Sequence, residues 1–496
     1  MHCNDRDYAL TTMERAKLDN VGNISYYWKP YSRKHDGQYF VRGPKMNSDR
    51  QHLLDMILDP DDAYGRHPRE IEPMQISAVN DVFKQRRGQI PLVGRRAEDA
   101  GITEVRSLAD LVPLLFAHTT YKSYPISLVE QARWDRLLQW LNSLSVADTT
   151  KVDVSGVRNI DEWLERLWAE GHMVLSTSGS SGKCSFLNHT RGDSTLKKRH
   201  FKYSVGWPFV RSSPDRPVFW LGPLEGPNSN VEAGKFTVEN WGRPGKIYAL
   251  TDQPLRMSEV SKMAAMRKRL ADGTATPNEI ADFEEESRVK GAAGMESMRR
   301  LADAVIDHRH EPIYVTGQWG QAMMIVERGR ERGIADGEFH PKSIVSPGGG
   351  IKGINLPSDY KEQIAAFFGD VLRPGSYGMT EMAQVHPTCE AGRYHRPPGL
   401  IWLILDKSGE RLVTPADGRD GVVEGRFAFF DLVYEGRWGG TITGDRVTVD
   451  FSDRCPCGRP GPTLLDNITR YAPIGEDDHI GCAGTIDGYI RGALAV

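Results

Sequence analysis

Between residues 175 and 186 the chain reads LSTSGSSGKCSF, which sets the hydroxyls of Ser176, Thr177, Ser178, Ser180 and Ser181 just ahead of Lys183. With the backbone N–H groups at Gly179 and Gly182, such a run offers a pocket of donors beside one positive charge, which suits a polyphosphate of the ATP type. It is not the P-loop of ordinary nucleotide hydrolases. Only Ser180 and Ser181 separate Gly179 from Gly182, where that loop has a longer interval, and Cys184 follows the lysine in place of Ser or Thr. A Gly/Ser run is also the composition of a flexible linker. Here, however, apolar Met173, Val174 and Leu175 precede it and Phe186 and Leu187 follow, which predicts a strand-turn-strand corner inside a domain.

Three further stretches carry chemistry in chain order. SPGGGIKG, residues 346–353, is a strand end where Gly348 and Gly349 let backbone approach a flat ring or a ribose. SYGMTE, residues 376–381, places an aromatic face (Tyr377), a glycine turn, a hydroxyl (Thr380) and a carboxylate (Glu381) within six residues. TGD, residues 443–445, closes a β-rich stretch with Asp445, whose carboxylate can bind a diol through both oxygens. Taken singly, a glycine triplet is usually a turn, Tyr-Gly is usually packing and Gly-Asp is usually a hairpin corner. Separately, Cys455 and Cys457 form a tight pair, with Cys389 and His395 upstream; three thiols and an imidazole are a normal structural zinc set. The alternative is that these are unlinked core cysteines.

The elements that must position these residues can be read from periodicity. Residues 1–75 are polar and aromatic with little pattern, and read as an extension wrapped on the body. From Ile76 to about Leu144 the pattern is helical, and IDEWLERLWAE (160–170) is an amphipathic helix leading into the serine-rich turn. PVFWLGPL, GKIYALTD, IYVTG, SIVSPGGG and GLIWLILD read as short buried strands. The charged stretch 256–309 reads as helices, with Thr276-Pro277-Asn278-Glu279 as an N-cap and first turn. Strands alternating with helices predict an α/β body around a mainly parallel sheet, with ligands at the strand C-terminal ends.

Composition narrows the partners. The 496 residues suffice for one large enzyme body or two to three domains, and 63 Lys and Arg against 66 Asp and Glu give a net charge of −3. That balance recommends neither nucleic acid nor an anionic membrane. No apolar run reaches membrane-spanning length and MHCNDRDYAL lacks an apolar signal core, so a soluble, cytoplasmic protein is expected. Six cysteines in so long a chain do not form a disulfide framework.

In their order, TSGSSGK, GGGIKG, YGMTE, the later GD and the tail CPCGR…GCAG resemble the adenylate-forming superfamily. The likeness is to its phenylacetate-CoA ligase branch and, more narrowly, to the acyl-protein synthetases of bacterial bioluminescence. The resemblance covers roughly residues 76–490. It implies a two-part α/β body with a small β-barrel element: an N-terminal extension over 1–75, a core over 76–466 interrupted by a helical insertion at 256–309, and a short tail over 467–496. It also implies activation of a carboxylic acid by ATP to an acyl-adenylate. Thr177, Ser178, Ser180, Thr380 and Lys183 would then face the phosphates, and Glu381 would bind Mg²⁺. Gly348, Gly349 and Tyr377 would hold adenine and Asp445 the ribose. Arg470, in NITRY, matches the arginine at the superfamily's hinge. His189 is close enough to the loop to join a carboxylate pocket, although a lone histidine is more often packed. Some phenylacetate-CoA ligases carry a Cys and a His followed by a C-x-C pair, the same arrangement as Cys389, His395, Cys455 and Cys457.

The sequence departs from the superfamily after the hinge. Only 26 residues follow Arg470 and none is a lysine, whereas the superfamily carries a mobile lid with a lysine near its end. The bioluminescence synthetases share a short tail and take the acyl group on a nearby cysteine, a place comparable to that of Cys482 in HIGCAG. A small buried thiol is the competing reading of Cys482. The acceptor expected is therefore a thiol, that of Cys482, coenzyme A or a partner protein. An amine acceptor and a catalytically silent nucleotide binder stand as alternatives, and the acid's identity is not readable.

Overall fold

The computed structural model describes residues 11–18, 24–30, 46–177, 183–349, 355–472 and 480. It is a mixed α/β protein built around two larger sheets.

Helices come first in the described body, and earlier than the pattern predicts. Ser48–Asp55, Pro60–Gly65, Pro68–Gln89 and Pro91–Ala100 follow one another, so the expected break at residue 75 falls inside a helix. Three of them open on proline, whose fixed φ and missing N–H suit a first helical position. Asn47 starts the series by accepting from the N–H groups of Asp49 and Arg50. Leu53, Leu54 and Ile71 pack into the same core as Phe83, Trp163 and Trp438. These residues are sparse among polar neighbours, which is why the sequence shows little periodicity there. Thr11–Leu18 and Ile24–Pro30 form an antiparallel pair.

The parallel sheet has the order Gly242–Thr251, Arg216–Pro223, Tyr314–Gln318, Ile344–Gly348, all neighbours parallel. Four of the five expected strands are its members. The helix Ser229–Trp241 joins the first two in sequence, and Trp319–Glu331 joins the last two. Phe219, Val305, Val315, Ile325, Val345 and Phe367 share one core on this sheet. Between the second and third strands in sequence run Met257–Ala271 and Pro277–Asp307. Thr276 caps the latter as expected, exchanging hydrogen bonds with Glu279 in a capping box.

The fifth expected strand lies elsewhere. Leu400–Leu405 heads an antiparallel sheet whose next members are Val422–Asp431, Gly440–Asp450 and Thr463–Leu464. Thr469–Arg470 and Phe116–Ala117 also pair with Gly440–Asp450. Ile401, Leu403 and Leu405 join the main core on one face, while Leu400, Trp402 and Ile404 meet Phe427 and Phe429 on the other. A strand buried on both faces loses its polar alternation, so its continuous apolar run reads like a central parallel strand. Among the described residues no helix is long and apolar enough to cross a membrane.

Candidate active site

The pairing of Val422–Asp431 with Gly440–Asp450 is in register at Arg426↔Arg446 and again at Ala428↔Ile442. Phe427 alone therefore faces Thr443, Gly444 and Asp445, and the strand bulges there. Thr443 braces the bulge: its hydroxyl donates to the Phe427 carbonyl at 2.7 Å and accepts from the Asp445 N–H at 3.1 Å. Asp445 thus sits in mid-strand on a distortion that turns its carboxylate out of the ladder, rather than at a strand end as expected.

Two other expected site residues converge on that carboxylate. The Tyr377 hydroxyl donates to Asp445 Oδ2 at 2.8 Å, and Arg470 Nε lies 3.4 Å from Oδ1. Thr469–Arg470 pairs antiparallel with Asp445 and Arg446, so backbone and side chain hold Arg470 in place together. Tyr377 belongs to the two-residue strand Ser376–Tyr377, paired with His386–Pro387. Burial first, and then the Asp445 carboxylate, hold its phenol well above the ordinary range, so it remains a donor.

His386 supports the tyrosine from behind. Its Nε2 accepts from the Trp402 indole N–H at 2.7 Å, so Nδ1 carries the proton and donates to the Tyr377 carbonyl at 3.1 Å. Burial pushes its pKa down to about 3, which keeps the ring neutral. The parallel sheet joins this unit through Ser346, whose hydroxyl donates to the Pro374 carbonyl at 2.6 Å, two residues before Ser376. Gly348 ends that strand and Gly349 comes next at φ +79°, a backbone that favours glycine. A side chain at either would meet no atom within 4 Å among the described residues.

The strands that flank the serine-rich run pair as a strand-turn-strand corner requires. Leu175–Ser176 pairs antiparallel with Phe186–Leu187. Ser176 is buried and anchored by its hydroxyl on the Pro227 carbonyl, and the Thr177 hydroxyl accepts from the Ser185 N–H at 3.0 Å. Lys183 Nζ stands 4.5 Å from the centroid of the Tyr124 ring, whose hydroxyl donates to the Cys184 carbonyl. Ser178 and Ser180 lie outside the described residues, as does Cys482.

Thr380 and Glu381 occupy the turn after Tyr377, both half-buried. The Glu381 carbonyl accepts from Arg437 Nη2 at 2.7 Å, and Arg437 Nη1 also reaches the Tyr121 hydroxyl at 3.0 Å. These contacts link Glu381 to the segment that carries Tyr124 beneath Lys183. Sequence reasoning missed Arg437 and its support. Its segment, Asp431–Trp438, is fixed by three buried charges. Asp431 accepts from the N–H groups of Ala383, Gln384 and Val433, and Asp193 from those of Glu435 and Gly436. Arg50 donates to the carbonyls of Leu432, Val433 and Tyr434.

A second cluster lies on the loops leaving these strands. One ligand atom each from Cys389, His395, Cys455 and Cys457 lies within 4.8 Å of every other. Cys389 and Cys455 sulfurs are 3.7 Å apart and unbonded, and Cys457 Sγ is 3.5 Å from His395 Nε2. A tetrahedral metal with metal–sulfur bonds of about 2.3 Å has sulfur–sulfur edges of about 3.8 Å, so the four groups fit such an ion. Burial pushes the Cys455 thiol up to about 12 and the His395 imidazole down to about 4.

The two cysteine loops have one design, which the sequence carries as C-E-A-G-R and C-P-C-G-R. In each, the first Cys N–H donates to the Arg carbonyl four residues on and the Gly N–H donates back to the Cys carbonyl, with Gly392 and Gly458 at positive φ. Arg459 then pairs with Glu390 of the other loop and lies 4.5 Å over the Trp207 ring.

No protein-family model matches the chain, and no curated protein matches it. Among solved structures, the chain is similar to an open conformation of 2-hydroxyisobutyryl-CoA ligase in complex with 2-HIB-AMP and CoA. That likeness has a TM-score of 0.48 at 13% identity and covers 83% of this chain and 78% of the other. CmiS6 is similar at a TM-score of 0.32 and 12% identity, over 59% of this chain and 60% of that one. IdnL1 is similar at 0.30 and 12%, over 58% and 50%.

Proposed function

We propose that this protein activates a carboxylic acid with ATP to an acyl-adenylate and passes the acyl group to a thiol. The observation that carries the reading is the meeting of Tyr377 and Arg470 on Asp445. Three motifs widely spaced in sequence supply an aromatic face, a cation and a carboxylate to one place, the chemistry a nucleoside requires. In this reading Asp445 accepts from the ribose hydroxyls, Tyr377 with Gly348 and Gly349 borders adenine, and Thr177, Ser178, Ser180, Lys183 and Thr380 donate to the phosphates. The acid's carboxylate oxygen bonds to the α-phosphorus while the bond to the β-phosphate oxygen breaks and pyrophosphate leaves. Repulsion between anions limits such a step, so donors placed on the phosphates lower its barrier.

Glu381 is the side chain assigned to Mg²⁺, an ion that neutralises phosphate charge when bound. Zinc is assigned to Cys389, His395, Cys455 and Cys457, as a structural ion because all four positions come from protein. In the second step a thiolate sulfur attacks the acyl carbon and AMP leaves with the electron pair of the broken C–O bond. Cys482 is the thiol proposed from the sequence. The test is ATP–pyrophosphate exchange across a panel of carboxylic acids, followed by intact-protein mass spectrometry. Exchange with at least one acid, and a hydroxylamine-sensitive acyl adduct absent from Cys482→Ser, is the expected result. Exchange without an adduct, with product released by an added amine, moves the acceptor to nitrogen. ATP binding without any exchange overturns activation.

A further inference from the structure

Four neighbouring side chains hold polar atoms that nothing described satisfies. His189 Nε2, Asn188 Oδ1, the Tyr434 hydroxyl and Arg437 Nε are all buried without a hydrogen-bond partner among the described residues. The side chains of His189, Tyr434 and Arg437 are contiguous, and Asn188 is tied to them through Ser145. The His189 and Tyr434 rings meet edge to face with centroids 5.1 Å apart, and the Arg437 guanidinium lies 3.7 Å over the Tyr434 ring. Asn188 donates to the Ser145 hydroxyl at 3.0 Å, and Ser145 forms a backbone bridge with Arg437. A buried polar atom without a partner is costly, and such atoms in one place mark a site for a polar guest.

The polarity of each atom is fixed by its neighbours. Ser145 spends its own proton on the Leu141 carbonyl, so it must accept from Asn188 Nδ2, which leaves Asn188 Oδ1 as an acceptor. His189 Nδ1 lies 3.0 Å from the Leu187 carbonyl and carries the proton, so Nε2 is an acceptor too. Arg437 Nε is a donor on a fixed positive charge. Its Nη groups serve Tyr121, the Trp438 carbonyl and the Glu381 carbonyl, and no carboxylate lies within ion-pair distance among the described residues. Burying such a cation uncompensated is expensive, which calls for an anion.

We propose that Asn188, His189, Tyr434 and Arg437 form the head-group subsite for a carboxylate that carries its own hydrogen-bond donor, that is, a hydroxy- or amino-substituted acid. The carboxylate answers Arg437 and the Tyr434 hydroxyl. The acid's O–H or N–H answers His189 Nε2 and Asn188 Oδ1. The subsite rests on the acid-activating reading above and narrows it. It also places the acid next to Glu381, through the hydrogen bond from Arg437 to that residue's carbonyl.

The experiment compares acids of one carbon skeleton in pyrophosphate exchange: unsubstituted, hydroxy-substituted and amino-substituted at the second or third carbon. The expected result is a preference in kcat/KM of at least about a hundredfold for one substituted class, because a site built to hydrogen-bond a substituent rejects the analogue lacking it. Which class wins separates hydroxyl from amine. Tyr434→Phe removes a hydroxyl that has no hydrogen-bond partner of good geometry among the described residues, so the melting temperature should hold while the KM for the acid rises at least about fivefold and that for ATP does not. Equal use of unsubstituted acids, or an unchanged KM in Tyr434→Phe, overturns the subsite while leaving activation intact. Silence with every acid removes activation and the subsite together.

Discussion

At the residue scale, Asp445 is the group on which the proposed nucleotide binding turns. Its carboxylate is oriented by one neutral donor and one cation, so the two partners can be separated experimentally. Tyr377→Phe should raise the KM for ATP about tenfold, the value of one hydrogen bond to a charged acceptor. Asp445→Ala should raise it further, and circular dichroism should show both variants folded. A wild-type KM in both would remove Asp445 from the site. Lys183→Ala and Thr177→Ala should each cost at least about tenfold in ATP-dependent turnover, measured under the same conditions. Tyr377, Asp445 and Arg470 were legible in the sequence because each sits in a short string of residue types that has a chemical use. Arg437 was not, since a single arginine between Tyr434 and Trp438 has no spacing to recognise. Its place is set by Asp193 and Arg50, which lie far away in the chain and meet its segment only in the fold.

At the element scale, the paired cysteine loops tie together the two strands that carry the residues proposed for the nucleotide. His386–Pro387, the partner of Tyr377, runs into Cys389, and Gly440–Asp450, the strand of Asp445, runs on to Cys455. One zinc per chain is expected by elemental analysis of the purified protein. Stripping it with a strong chelator should weaken ATP binding before the helical signal falls, because neither loop belongs to the parallel sheet. Protein purified without zinc that still binds ATP normally would refute the assignment. The loops also show what a sequence yields at this scale. The ligand types and their order were readable, but the shared C-x-x-G-R design went unnoticed because two short copies 66 residues apart are too brief to register as a repeat. The strands of the parallel sheet were readable one by one, and so was Leu400–Leu405, but its sheet was not, since burial on two faces looks the same in either.

At the scale of the whole molecule, neutral histidines buried in the core make stability depend on pH. Burial pushes His386 down to about 3 and His200 to about 4, against about 6.5 in an unfolded chain. Below that value the unfolded chain takes up protons that the folded one refuses, so stability is full above pH 6.5 and is lost as the pH falls. At pH 5 each should contribute a loss of about 2 kcal/mol. Urea unfolding at pH 7, 6 and 5 measures the loss, and His386→Gln, which keeps an acceptor for Trp402, should flatten its slope. A slope unchanged by that substitution would clear His386 of the effect. The strand Leu400–Leu405 decides the fate of the chain once it has unfolded. LIWLIL has six consecutive apolar residues, no charge and no proline, and folding hides it between two cores. Released by heat, such a segment pairs with its copies on other chains faster than it finds its own partners. Heated solutions of this protein should therefore turn cloudy rather than recover, with the yield of active enzyme on cooling falling as protein concentration rises.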